Sequence, residues 1–215
     1  MNLDRIYSYR FRGVDHAKRN MVWGELAQFM HTKLGRPESI LDPAAGMCEF
    51  INAIPCTEKW GVDLNEPFIR AHADDSVQVV IGDTRTVDLP KNHFDAVFVS
   101  NFLEHLNSQE EVAAFLTKLY SHLKPGGRIA VMGPNFKYVY KEYFDFADHT
   151  VILSELGLAE HLYGAGFEVE RIFPRFLPLS FRGSLPINRF LVRSYLGMPW
   201  AWRILGKQFL LIGRK

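Results

Sequence analysis

Short apolar runs alternate with amphipathic stretches along most of the chain. VQVVI at residues 77–81 and FDAVFVS at residues 94–100 are continuous runs of Val, Phe and Ile, the pattern of strands buried on both faces. Residues 108–123 instead carry apolar side chains at helical spacing and end at a Lys-Pro-Gly-Gly turn. This alternation predicts a parallel sheet with helices on both faces.

The same pattern predicts seven strands in an α/β protein. A chain of 215 residues is long enough for one such domain and too short for two ordinary ones, so we expect a single domain over residues 1–215. Ser154 is predicted to cap a helix that stops at Gly164 and Gly166. The predicted strands are residues 39–41, 59–62, 77–81, 94–100, 128–132, 167–173 and 208–212.

Two further segments lie outside this regular alternation. The N-terminal segment, residues 1–34, has a predicted helix at 15–34. Its residues 6–12 either fold over a ligand site as a lid or form a frayed terminus. Residues 177–207 separate the last two strands, where a tight hairpin would need about two to five residues. This insertion mixes Arg with aromatic residues and is predicted to hold short helices broken at Pro186 and Pro199.

Composition narrows the class of protein. Hydrophobic residues make up 47% and charged residues 23%, the balance of a soluble globular protein. No run approaches the ~18 apolar residues of a membrane-spanning helix, and the first residues lack a signal-peptide stretch, so we expect a cytoplasmic protein. Cys48 and Cys56 are not in a C-x-x-C pair and are predicted to be reduced thiols.

The net charge of +1 hides a strong asymmetry. Residues 1–170 carry 16 Lys and Arg against 24 Asp and Glu, a net charge of −8, whereas residues 171–215 carry nine basic residues and no acid. The basic segment is therefore expected to face an anionic partner or the acidic body of the protein itself.

A turn of small residues after the first strand indicates a nucleotide site. The turn is LDPAAGMCEF at residues 41–50, and Asp63 ends the next predicted strand. A strand, a tight turn and an acid on the following strand form an arrangement in which the acid accepts hydrogen bonds from ribose hydroxyls. By itself this pattern predicts only an adenosine group.

Charge distinguishes two adenosine cofactors. A dinucleotide places its pyrophosphate on backbone N–H groups at the helix start, which requires glycines and no nearby anion. Here Ala44 and Cys48 stand at two of the glycine positions and Glu49 lies at the helix start. S-adenosylmethionine (SAM) has no phosphate, and its ammonium and sulfonium suit the carboxylate of Asp42. The sequence therefore favours SAM over NAD.

The chain resembles the class I SAM-dependent methyltransferases from residue 39 onward. The similarity lies in LDPAAGMCEF, Asp63, VIGDTRTVDLP, FDAVFVSNFLEHL and LKPGGRIAVMGPN. It implies a Rossmann-like fold, that is, a doubly wound, mostly parallel seven-stranded sheet with an antiparallel last strand. The IYSYRFR and NFLEHL stretches and the C-terminal segment are similar to small-molecule methyltransferases associated with bacterial surface-polysaccharide and glycolipid biosynthesis.

The resemblance implies a role for each motif residue. Asp42 would meet the methionine ammonium of SAM, and Gly46, with Ala44 in the same loop, would allow close approach. Asp42 and Asp83 have an alternative role as caps of turns at strand ends. The remaining implied contacts are Asp63 and Leu64 to the ribose, Asp83 and Thr84 to the adenine, and Asn101 and Phe102 to the sulfonium.

Two histidines are candidates for acid–base chemistry. His105 follows the fourth strand, where the methyl acceptor must enter, and is either a general base or a residue that stacks on adenosine. Glu104 beside it is interpreted as fixing a helix start. His149 follows Asp145 and Asp148, but no fourth ligand stands at a suitable spacing, so we expect an acid–base or acceptor-orienting role and no metal ion.

Aromatic and basic residues are candidates for the acceptor pocket. Residues 135–146 hold six aromatics, of which Tyr138, Tyr140 and Tyr143 are predicted to contact the acceptor. Arg189 and Arg193 of the insertion are predicted to bind its phosphate, and the same basic, aromatic segment could make a peripheral membrane contact. Asp95 begins a strand at the opposite end and is interpreted as solvated.

These features favour methyl transfer to a small molecule, with a sugar hydroxyl on a nucleotide-linked or lipid-linked intermediate as the expected acceptor. Nucleic acid is not expected, because Ser100-Asn101-Phe102-Leu103 replaces the N-P-P-Y-like turn that adenine methyltransferases need. An NAD-dependent sugar oxidoreductase and a catalytically silent SAM-binding adaptor remain alternatives. The oligomeric state is left open.

Overall fold

The computed structural model describes residues 3–10, 12–179 and 188–215. Within these ranges the chain forms one sheet of seven strands in the order β3-β2-β1-β4-β5-β7-β6. The strands are β1 (Ser39–Asp42), β2 (Glu58–Asp63), β3 (Val77–Ile81), β4 (Phe94–Ser100), β5 (Leu123–Pro134), β6 (Glu168–Phe173) and β7 (Gln208–Arg214).

The pairing of the strands confirms the predicted fold class. Strands β1 to β5 pair parallel with one another, and β7 runs antiparallel to both β5 and β6. All seven predicted strands are present, and the differences lie at their ends, most of all in β5. The helices of the described ranges are α1 (Leu3–Arg10), α2 (His16–Lys33), α3 (Glu49–Ala53), α4 (Glu66–His72), α5 (Gln109–His122), α6 (Phe136–Val139), α7 (Glu155–Gly164), α8 (Arg189–Leu196) and α9 (Pro199–Leu205).

Polar side chains cap the long helices where the sequence predicts their starts. Asp15 accepts a hydrogen bond from the Lys18 N–H of α2 at 3.0 Å. Ser108 and Ser154 do the same for α5 and α7, each at 3.2 Å. Each cap satisfies a backbone donor that the helix leaves unpaired and contributes about 1 kcal/mol.

Alternate residues of β4 pack into separate cores on the two faces of the sheet. Ala96 and Phe98 belong to the core beneath α2, α3 and the insertion. Val97 and Val99 belong to the core beneath α5 and α7. The continuous apolar run of β4 is therefore explained by helices on both sides, as the doubly wound prediction requires.

The insertion is largely held by contacts with the body of the protein. It contains α8 and α9, as predicted; Pro199 begins α9, while Pro186 lies outside the described residues. Arg189 and Arg193 both pair with the buried carboxylate of Glu25 on α2, at 3.2 and 2.9 Å. Part of the positive charge of this segment is thus offset by internal pairing, because the two arginines share one carboxylate.

Asp95 is a structural residue, and the interpretation that it is solvated is wrong. Its carboxylate accepts hydrogen bonds from the backbone N–H groups of Glu38 and Ser39, at 3.1 and 2.9 Å. It also pairs with Lys124 at 2.7 Å. These contacts tie the first residue of β1 to β4 and to the start of β5.

No helix of the described ranges is long and apolar enough to cross a membrane.

Candidate functional site

A large cavity opens at the carboxyl ends of the parallel strands, where doubly wound sheets bind their ligands. Its volume is about 1260 Å³, more than the roughly 300–1,000 Å³ typical of a pocket for one small ligand. It brings together all the predicted cofactor and acid–base residues: Asp42, Ala44, Gly46, Asp63, Leu64, Asp83, Thr84, Asn101, Phe102, His105 and His149.

The turn after β1 is held against the end of β2 by Asp63. One oxygen of its carboxylate accepts from the Gly46 N–H and the other from the Asn65 N–H, each at 2.9 Å. Gly46 has a φ of +52° and open space where a Cβ would stand, so a side chain here would project into the cavity. Cys48 also adopts a left-handed φ of +56°, a conformation that a cysteine side chain does not predict.

Asp42 is a carboxyl group buried at the floor of the cavity. Its side chain accepts a weak hydrogen bond from the Ala44 N–H at 3.4 Å, and the residue is only 4% exposed. Burial, reinforced by the nearby charge of Asp63, raises the pKa of Asp42 to about 7. A cation placed beside this group would restore its ionised form.

Glu49 and Asp83 already have cationic partners. Glu49, at the start of α3, forms a two-point ion pair with Arg19 of α2, in which the Nη2 contact is 2.9 Å. Hydrogen bonds from Arg85 hold the pKa of Asp83 below its usual value, although partial burial opposes them. Asp83 also accepts from the Arg85 N–H, so its predicted alternative role as a turn cap is present.

Two other positions offer unused or unusual groups. The hydroxyl of Thr84 is buried and lacks a hydrogen-bond partner among the described residues. Asn101, at the end of β4, has a φ of +49°, and its N–H donates to the Met132 carbonyl at 2.8 Å. This left-handed residue turns the chain sharply away from the sheet and into the short helical turn Leu103–His105.

One side of the cavity, where the sequence predicts that the methyl acceptor enters, is lined by a cluster of titratable groups: Glu104, His105 and His149. Nδ1 of His105 lies 3.0 Å from the Asp148 carbonyl and 3.4 Å from its carboxylate. His149 stacks on Phe146, with ring centroids 4.7 Å apart, and meets His105 edge to face at 5.0 Å. Burial lowers the pKa of His149 to about 4, and it raises that of Glu104, which is 3% exposed.

The N-terminal helices contribute arginines to this cavity. Arg10, at the end of α1, donates to the Asp148 carboxylate and lies over the Phe146 ring, 5.1 Å from its centroid. Arg19 of α2 lines the opposite side beside Glu49. The end of α1 therefore contacts the acceptor side of the cavity rather than the glycine turn.

Residues 41–131 match the family model described as a methyltransferase domain. This match covers 91 of the 215 residues, so the resemblance to that family extends over less than half of the chain. A SAM-dependent methyltransferase from Archaeoglobus fulgidus has a similar structure, with a TM-score of 0.68 and 24% identity over 97% of this chain and 98% of that one. An S-adenosylmethionine-dependent methyltransferase from Mesorhizobium loti gives a TM-score of 0.60 and 16% identity, covering 88% and 96% of the two chains.

Two curated relatives are similar to this chain by sequence. A demethylmenaquinone methyltransferase of Corynebacterium efficiens is 32% identical over 114 residues, which cover 49% of this chain and 48% of the relative. A ubiquinone/menaquinone biosynthesis C-methyltransferase of Cupriavidus necator is 28% identical over 113 residues, covering 47% and 44%. The chain thus spans about half the length of the curated relatives it matches.

These matches agree with the cofactor that the sequence predicts. The matched family model is described as a methyltransferase domain, and a solved SAM-dependent methyltransferase shares the fold, which favours SAM over the NAD alternative. The cavity also fits SAM in its own geometry. The carboxyl of Asp42 suits a cation, the open side of Gly46 suits close approach, and the hydroxyl of Thr84 has capacity for a new hydrogen bond.

The predicted acceptor residues of the aromatic segment do not line the cavity. Tyr143 is fully buried, and its hydroxyl donates to the Val151 carbonyl. Tyr138 lies beneath Arg175, and Tyr140 points to solvent beside Lys141. The prediction that these tyrosines line the acceptor pocket is therefore wrong, because the chain turns into the core and the surface there.

The cavity lining also lacks Arg189 and Arg193. Their guanidinium groups pair with the buried carboxylate of Glu25 on α2 instead. Glu104, which was interpreted from the sequence as fixing a helix start, lines the cavity together with the two histidines. The carboxylate lies 3.5 Å from the position that a Cβ on Gly133 would take, over β5 and beside the two histidines. Only its place in the NFLEHL motif could have drawn attention to it.

Proposed function

We propose that the protein transfers the methyl group of SAM to a hydroxyl oxygen of a small-molecule acceptor. The observation that carries this proposal is that one cavity joins the Asp42, Gly46 and Asp63 region to the cluster of Glu104, His105 and His149. Its volume of about 1260 Å³ leaves room for an acceptor beside the cofactor.

In this proposal the cofactor lies along the ends of β1 to β4. Asp42 faces its ammonium group, Asp63 its ribose, and Asp83 with Thr84 its adenine. Asn101 and Phe102 lie beside the sulfonium. The left-handed turn at Asn101 supports the last assignment, because Asn101 and Phe102 line the same cavity as the acid–base cluster.

Methyl transfer is an in-line displacement, so most of the rate comes from holding the acceptor oxygen and the sulfonium together. The methyl carbon leaves sulfur and bonds to oxygen, and the hydroxyl proton must leave as this bond forms. We assign the loss of that proton to the cluster of Glu104, His105 and His149, which includes both histidines singled out by the sequence. These side chains contact the acceptor in this proposal.

Two acceptor classes are supported by different observations. A lipid-linked or nucleotide-linked sugar agrees with the similarity to enzymes of surface-glycan biosynthesis. The names of the two curated relatives instead favour a quinone-type acceptor methylated on carbon. Both classes include acceptors carried on lipid, and exposed apolar residues of α8 and α9 support a peripheral membrane contact: Phe190, Leu191, Trp200, Ile204 and Leu205.

Transfer from labelled SAM to defined acceptors tests this proposal. Sugar nucleotides, glycolipid extracts and demethylated quinols would be supplied in parallel, with product mass and position of the label as the readout. We expect labelled product in one of these sets and its loss in Asp63→Ala. Binding of S-adenosylhomocysteine (SAH) without transfer to any of them would instead support the silent-adaptor alternative.

A further inference from the structure

Glu104, His105 and His149 form a compact group of potential metal ligands, which we call the Glu-His-His triad. Each residue offers one ligand atom, and the three atoms all lie within 4.8 Å of one another. Glu104 and His105 belong to the short helical turn after β4, whereas His149 follows the turn Tyr143–Asp145. The triad therefore exists only because two separate segments meet over β5.

The ring nitrogens of the two histidines are arranged as in a metal site. The Asp148 carbonyl can only accept, so Nδ1 of His105 donates to it at 3.0 Å and Nε2 keeps its lone pair. Such anchoring of the far nitrogen by a carbonyl is the usual second contact of a metal-bound histidine. Nδ1 of His149 is buried and has no hydrogen-bond partner in the described part of the chain, although the residue is only 9% exposed.

The net charge around the triad favours a cation. Arg10 and Asp148 form an ion pair with each other, so their charges cancel beside the triad. Glu104 then supplies the net negative charge. The rings of Phe146 and Tyr143 pack on His149, with centroids 4.7 and 4.8 Å away, and hold its orientation. A ligand set of two imidazoles and one carboxylate is thus fixed before any ion binds.

We propose that the Glu-His-His triad binds a divalent transition-metal cation of the Zn²⁺ class and presents it to the acceptor. Two imidazoles with one carboxylate suit Zn²⁺ and its neighbours better than Mg²⁺, which prefers oxygen ligands. Three protein ligands leave a coordination position open toward the cavity, as in catalytic rather than structural sites. The sequence pattern predicted no metal ion, because no fourth ligand stands at a suitable spacing from Asp145, Asp148 and His149.

The role of the cation rests on the proposed function. The acceptor oxygen would occupy the open position, where the positive charge favours loss of its proton to water in the cavity. The oxygen then bonds to the methyl carbon as the bond from carbon to sulfur breaks, which leaves neutral SAH. No redox change is involved, so a cation without redox chemistry is sufficient.

Cation binding can be measured without any methyl acceptor. The chelator-stripped full chain would be titrated calorimetrically with Zn²⁺ and with Mg²⁺, and with Co²⁺ while its visible absorption is followed. We expect one Zn²⁺ or Co²⁺ per chain. Glu104→Gln, which preserves side-chain shape, and His149→Ala should each weaken binding on the order of 100-fold or more, since even outer partners of metal ligands contribute 10–100-fold.

A surface pair provides the matched control. His93 contacts Glu58 at 2.8 Å outside the cavity, so His93→Ala should bind the cation as the parent chain does. Thermal unfolding of each variant without metal, and its affinity for SAH, would show that the fold and cofactor site persist.

Three results would overturn the metal site. They are no binding of Zn²⁺ or Co²⁺, binding that is unchanged in both triad variants, and tighter binding of Mg²⁺ than of Zn²⁺. Transfer by the metal-free chain at the full rate would overturn the catalytic role and assign the proton to His105 directly. Cation binding at the triad without methyl transfer to any acceptor would contradict the proposed function and leave the metal site supported.

Discussion

Asp42 should make the affinity of the domain for SAM depend on pH. The carboxyl is 4% exposed, and burial together with the charge of Asp63 raises its pKa to about 7. Only the ionised carboxylate attracts the ammonium group of SAM or SAH. Because the pKa is raised, the attraction is fully present only well above pH 7 and is lost as pH falls through that value.

The size of the effect follows from the fraction of ionised Asp42. With a pKa of about 7, roughly one tenth of the carboxyl groups are ionised at pH 6 and roughly three quarters at pH 7.5. The affinity for SAH should therefore fall about eightfold from pH 7.5 to pH 6, a change of about 1.2 kcal/mol. Binding should also release a proton, since the bound ammonium favours the ionised form.

Calorimetric titration with SAH at pH 6, 6.5, 7 and 7.5 checks both statements, because buffers of different ionisation enthalpy report the released proton. Asp42→Asn should bind weakly with no pH dependence in this range. Asp75→Asn alters an exposed acid and should retain the parent profile. A flat profile in the parent chain, or an unchanged slope in Asp42→Asn, would refute this reasoning.

Three further predictions concern the cofactor and the insertion. Asp63→Ala should weaken SAH binding by roughly 2–3 kcal/mol in calorimetry, because charge-assisted hydrogen bonds to the ribose are lost; unchanged affinity would sink the site assignment. Gly46→Val should abolish SAH binding while circular dichroism shows a retained fold, because its side chain would fill the cofactor side of the turn. Trp200→Ser should reduce binding to anionic vesicles in sedimentation assays if α9 contacts membranes, whereas Tyr163→Ser, which changes another exposed aromatic residue, on α7, should not.

Much of the fold could be predicted from local sequence pattern. Buried strands such as β4 appear as continuous apolar runs, and the serine caps of α5 and α7 stand directly before their helices. The meeting of the candidate cofactor residues in one cavity was also predictable, because the carboxyl ends of parallel strands must meet at one edge of the sheet. Position along a strand therefore carried most of the information about Asp42 and Asp63.

The acceptor side depends on contacts that no local pattern encodes. Glu104 meets His149 only after the chain has passed through β5, and Arg10 reaches Asp148 from 138 residues away in the sequence. The aromatic side chains around Tyr143 were assigned to the pocket by composition alone. Their actual direction is set by the hydrogen bond of Tyr143 to Val151 and by packing on Phe136, which require the folded loop.

The position of β7 fixes the order in which the sheet can be completed during synthesis. Within the described part of the chain, β6 pairs only with β7, and β7 is also the strand that joins it to β5. The ribosome makes β7 after every other strand of the sheet. Strands β1 to β5, which carry the cofactor edge, can pair while translation continues, but β6 must wait with its backbone groups unpaired. The nascent chain therefore exposes an unpaired, aggregation-prone strand edge until β7 emerges. We expect chaperones to protect this edge up to that point.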